Sequence, residues 1–121
     1  MACHFINGAG RDFGPDLSKV GARLNKPQIL ESLLTPSKVI AQGFQSVVIT
    51  LKDDSEHSGF VVKREGSTVI LKTATGQPES LNTAAVKSEQ AMPLSLMPEG
   101  LLQGFTAQEA ADLVAYLSAL K

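Results

Sequence analysis

Between residues 44 and 90 the sequence changes period, and that change limits the fold more than any other feature of the chain. Phe44–Leu51, Gly59–Lys63 and Thr68–Thr73 are rich in Val, Ile, Thr and Phe, whose branched or aromatic side chains fit a pleated surface. Asp53-Asp54, Glu65-Gly66 and Thr75-Gly76-Gln77-Pro78 separate them, and these residue types favour tight turns. A fourth strand over Glu79–Asn82 and a fifth around Ala85–Lys87 would complete a small antiparallel sheet or barrel. The segments on either side have a helical period, so the sheet is expected as an insertion.

Before it, Pro27 suits a first helical position. Ile29, Leu30, Leu33 and Leu34 then recur on one side of a helix, which Thr35-Pro36 stops. A second helical turn is expected through Val39 and Ile40, and residues 17–24 are only weakly patterned. After the sheet, Thr106-Ala107-Gln108-Glu109 is a capping box. Ala110, Leu113, Val114, Leu117 and Leu120 follow as one apolar face.

With 121 residues, 43% of them hydrophobic, and a net charge of −1, the composition is that of one soluble domain. Lys and Arg are scattered apart from Lys63-Arg64, whereas a nucleic-acid binder carries a basic stripe. No run approaches the ~18 apolar residues of a membrane span. A signal peptide is not expected, because no basic stretch precedes an apolar one. A single cysteine excludes an internal disulfide and a multi-cysteine zinc site.

Cys3-His4, Gly14-Pro15-Asp16-Leu17, Glu31-Ser32-Leu33-Leu34-Thr35-Pro36-Ser37, Ser95-Leu96-Met97-Pro98-Glu99-Gly100-Leu101 and Asp112–Leu117 occur in that order over nearly the whole chain. Together they resemble the cytochrome c superfamily, and in particular the bacterial haem-binding c-type domain found at the end of large multidomain proteins. The resemblance implies an α+β fold: cytochrome c-like helices around a haem pocket, with a small antiparallel β-sheet or barrel inserted at about residues 44–90. It implies one domain over 1–121, with the haem-attachment loop and helices in 1–43 and the Met-ligand loop and C-terminal helix in 91–121.

The resemblance also implies a site. Cys3 forms a thioether to haem c, His4 binds the iron, and the Pro15 carbonyl accepts from the other ring nitrogen of His4. A methionine supplies the sixth ligand. Met97 stands in the family's Leu-Met-Pro-Glu-Gly-Leu context and is preferred to Met92, the alternative. Cys3-His4 ends the motif C-x-x-C-H, whose first cysteine would precede Met1. The sequence is therefore expected to be a fragment of a longer exported protein, periplasmic or extracytoplasmic, with at most one thioether. The helix that precedes the motif in cytochromes c is also missing. Its absence is expected to leave the Leu113, Val114, Leu117 and Leu120 face uncovered and open to self-association.

The function implied is electron transfer with His/Met ligation for a fused or partner dehydrogenase, without catalysis by the domain itself. Ordinary readings stand beside it. Cys3-His4 suits a disordered terminus, Gly14-Pro15 a turn, and either methionine a gap in a core. His57 reads as an exposed strand-end residue and Tyr116 as part of the core. The alternative function is a cofactor-free β-rich protein-interaction module with vestigial haem motifs. A cysteine-nucleophile enzyme fits poorly, since no second histidine or acid is placed to form a triad.

Overall fold

The structure is a computed structural model that describes residues 2–121. Its chain divides into two compact units, one running to Ile40 and resuming at Met97–Lys121, the other spanning Ala41–Leu96.

In the first unit, β1 (Phe5–Ile6) and β2 (Ala9–Gly10) form a two-stranded antiparallel clip. Asn7 (φ 47°) and Gly8 (φ 90°) turn it, as an Asn-Gly pair does in a two-residue hairpin loop that needs positive φ at both positions. Helix α1 (Val20–Arg23) is a single turn, and α2 (Lys26–Leu34) follows. The Asn25 side chain caps α2 in a reciprocal box with Gln28. The last helix, α3 (Ala107–Ser118), starts from the Thr106–Glu109 box. Ile6, Val20, Ile29, Leu33, Val114 and Leu117 are buried together and form the core of this unit.

The second unit holds β3 (Val47–Leu51), β4 (Glu56–Glu65), β5 (Thr68–Lys72), β6 (Pro78–Asn82) and β7 (Val86–Ala91), with a 3-10 turn at Thr83–Ala85 before β7. All neighbours are antiparallel in the order β6-β5-β4-β3-β7. Strand β4 changes partners along its length. Glu56–Gly59 pair with β3, and Phe60–Glu65 pair with β5. Such a handover of partners marks a corner within the sheet.

Gly59 sits at that corner because the Lys72 backbone comes close: an added Cβ would lie 2.3 Å from the Lys72 carbonyl oxygen. Gly59→Ala is therefore expected to cost about 1–3 kcal/mol, the usual cost of forced overpacking. Urea unfolding would register this as a lower midpoint, and an unchanged midpoint would show that the two strands part without cost.

The curled sheet encloses its own core of Ile49, Val69, Leu71 and Leu81. Directly opposed residues share a face of a sheet. The registers Ile49↔His57, Ile49↔Glu89, Leu71↔Glu79 and Val69↔Arg64 therefore put four polar side chains on the core face. They pair across it: His57 Nδ1 lies 2.7 Å from Glu79 Oε2, and Arg64 Nη2 donates to Glu89 Oε1. Each pair links strands that are not neighbours, β4 with β6 and β4 with β7.

The α+β expectation of cytochrome c-like helices around a haem pocket is corrected by this architecture. The protein is β-rich, a five-stranded antiparallel sheet plus a two-stranded one, with only three helices among the described residues, of 4, 9 and 12 residues. The weakly patterned stretch 17–24 yields one turn of helix, and no helix forms at Val39 and Ile40. Strands β4, β6 and β7 run longer than their sequence signals and β3 and β5 slightly shorter, and together they pack their own core instead of decorating a helical one.

The C-terminal helix also departs from expectation. Val114 and Leu117 are each 8% exposed, and Leu113 and Leu120 pack against the same cluster. α1 and α2 pack against α3, so the expected uncovered face, and self-association through it, is not what this unit presents. Tyr116, expected in the core, is instead 54% exposed.

Candidate functional site

The clip β1–β2 folds Cys3–Asn7 back along residues 11–18. The Cys3 carbonyl accepts from Gly14 N–H (2.6 Å) and Phe13 N–H (3.2 Å), and the His4 carbonyl accepts from Arg11 N–H (3.1 Å). The Phe5 carbonyl accepts from Leu17 N–H at 2.9 Å, and Asn7 N–H donates to Ser18 Oγ at 2.8 Å. Two residues beyond His4, Ile6 enters the buried cluster and anchors this stretch to it.

His4 is half-buried, and its Nδ1 lies 2.8 Å from the Pro15 carbonyl oxygen. A carbonyl can only accept, so Nδ1 carries the proton, and in the neutral ring Nε2 presents its lone pair. Among the described residues no hydrogen bond reaches Nε2. The ring rests on Gly14, where an added Cβ would stand 2.8 Å from His4 Cε1. A side chain at 14 would push the imidazole off the Pro15 carbonyl. Cys3 beside it is an exposed free thiol.

The far side of the loop is braced. Arg23 Nη2 donates to the Asp16 carbonyl at 2.8 Å, and Asp16 Oδ1 accepts from Ser18 N–H at 2.8 Å. Hydrogen bonds from the Ser18 side chain and then from its backbone hold the Asp16 carboxyl below the usual carboxylate range, because they favour the charged form.

Met97 belongs to the same unit as His4 and packs, half-buried, against the core cluster that includes Ile6. A cleft of about 450 Å³ lies in that unit, lined by Leu33, Leu34, Glu99, Gly100, Leu102 and Gln103. Two of its walls, Leu33 and Leu102, also belong to that cluster or pack on it. Leu30, Leu34, Leu101 and Phe105 leave a good part of their apolar surface uncovered in the same unit.

Met92 falls elsewhere. Its N–H donates to the Ser46 carbonyl at 2.9 Å, within the sheet unit. His57 lies there too, and it is not the exposed residue expected, since only 26% of its side chain is accessible. Ser55 Oγ lies 3.3 Å from His57 Nε2 but donates to Asp53 Oδ1 at 2.6 Å. With its proton committed to Asp53, Ser55 is not activated by His57, and the Ser55–His57–Glu79 line lacks the logic of a catalytic triad. Among the described residues no three His, Cys, Asp or Glu side chains gather as a metal site.

Sequence reasoning singled out Cys3, His4, Pro15 and Met97, and missed the supports of that group. Asn7-Gly8 was a readable hairpin signal. The close approach at Gly14 and the reach of Arg23 to a backbone carbonyl leave no pattern in a single sequence. Compared with known proteins, the chain matches no family model and no curated sequence.

Proposed function

We propose that this chain holds a c-type haem as an electron carrier, with His4 and Met97 as iron ligands and Cys3 as the point of covalent attachment. The observation that carries this reading is the 2.8 Å contact between His4 Nδ1 and the Pro15 carbonyl. An iron-ligating imidazole needs an acceptor on its second nitrogen to fix tautomer and ring plane, and this one has it.

The remaining residues suit the group. Cys3, an exposed free thiol one residue away, would hold the haem covalently through a thioether. Met97 offers a thioether from the same unit as His4. A cleft of about 450 Å³ with leucine walls lies in the same unit as His4 and falls within the size range of cofactor sites. When bound, the haem iron supplies one-electron redox chemistry. His4 would hold the iron with its ring plane fixed by Pro15, and the Met97 thioether as a second ligand would raise its potential. The reading places the protein outside the cytoplasm, passing electrons for a fused or partner dehydrogenase. No helix among the described residues is long and apolar enough to cross a membrane.

Expression with cytochrome c maturation machinery tests it. The expected product shows a Soret band and an intact mass raised by one haem. Cys3→Ser loses the covalent increment, and His4→Ala loses the low-spin spectrum. A colourless chain of unmodified mass would overturn the reading in favour of a cofactor-free β-rich interaction module.

A further inference from the structure

We infer that Arg23 is a positioning residue for His4, acting through the peptide that joins Asp16 to Leu17. The inference rests on the haem reading for what His4 binds, while the positioning itself belongs to the chain without haem.

For the Pro15 carbonyl to stay aimed at His4 Nδ1, the backbone on both sides of Pro15 must be fixed. Upstream, Gly14 N–H is tied to the Cys3 carbonyl at 2.6 Å. Downstream, the two ends of one peptide are held from opposite edges. Leu17 N–H donates to the Phe5 carbonyl at 2.9 Å, and the Asp16 carbonyl accepts from Arg23 Nη2 at 2.8 Å. A peptide group is planar, so fixing its N–H and its C=O fixes its plane.

Arg23 is well placed to do this. It ends α1, whose first residue, Val20, is 5% exposed in the core of the unit. The guanidinium addresses the backbone carbonyl of Asp16, while the Asp16 carboxylate is turned to Ser18 N–H. The contact is therefore a directed, charge-assisted hydrogen bond to a backbone acceptor. It runs from a helix anchored by the buried Val20 to the residue next to the His4 acceptor. A firmer Nδ1–H···O=C bond makes Nε2 a better donor to iron, so Arg23 would set ligand strength without touching the iron.

The test reads the ring itself. In ¹⁵N-labelled protein without haem, the His4 tautomer and the exchange rate of its Nδ1 proton are measured by NMR. In the parent chain a single Nδ1–H tautomer is expected. In Arg23→Ala a tautomer mixture is expected, with exchange about five- to tenfold faster, the scale of one solvent-exposed hydrogen bond. Arg23→Lys should restore part of the protection, and amide exchange in α2 and α3 should not change. An unaltered His4 tautomer and exchange rate in Arg23→Ala would overturn the inference. If that variant unfolds, Arg23→Gln, which keeps the stem and a neutral N–H donor, is judged by the same two readouts. Haem uptake by the parent, measured in parallel, separates the two ideas. Failed uptake removes the haem reading and leaves the tautomer result standing, whereas normal uptake with an unmoved tautomer removes Arg23 alone.

Discussion

Met97→Ala in the haem-loaded protein is expected to keep the covalent attachment at Cys3 and to open the sixth coordination position. On the proposed haem reading the thioether bond at Cys3 and the ligand bond at Met97 would be separate, so losing the second would spare the first. The midpoint potential should fall, because a thioether ligand raises it. Imidazole and cyanide should bind about tenfold more tightly or better, some 1.4 kcal/mol per factor of ten. Met92→Ala should change neither property, since Met92 is tied to Ser46 in the sheet unit while Met97 packs on the cluster that anchors the His4 strand. Visible spectra with ligand titration decide the matter. If Met92→Ala opens the iron and Met97→Ala is silent, the ligand assignment is reversed.

Leu71→Ala should have the largest effect on stability. Leu71 is fully buried, at 0% exposure, in the centre of the sheet core with Ile49, Val69 and Leu81. Truncating a buried leucine removes its transfer energy and leaves a cavity, together about 2–5 kcal/mol. The two units have separate cores. Amide exchange in β3–β7 should accordingly accelerate by orders of magnitude, while the protected Nδ1 proton of His4 keeps its parent rate. Equal acceleration at His4 would show that the two cores melt as one.

The sequence revealed pairing-prone segments more readily than it revealed where they stop. Alternating branched residues such as Val47, Ile49 and Leu51 mark a strand by themselves, and Thr106 with Glu109 marks a helix start, because both signals are local. Whether a sheet is an ornament on a helical body or a body with its own core depends on non-local packing. Glu89 reaches Arg64 across 25 residues, and Val47 pairs with Ala91 from the opposite end of the sheet segment. That is why a helical body was expected and a β-rich protein was found. In the candidate site, the dipeptide Cys3-His4 and the Gly14-Pro15 step stood out as short motifs. Their support by Arg23 through a backbone carbonyl could not, since a carbonyl acceptor has no identity in the sequence.

The pairing of β3 with β7 has a consequence for how such a chain can change over time. The first and last strands of the sheet lie side by side in the register Val47↔Ala91, and Met92 N–H extends the contact to the Ser46 carbonyl. The segment thus leaves the sheet beside the place where it came in, like a cassette whose two ends sit at one slot. Chain ends that lie close together are what makes domain insertion tolerable. A host loop only has to supply two neighbouring attachment points to receive this sheet, and it has little to repair when the sheet is lost.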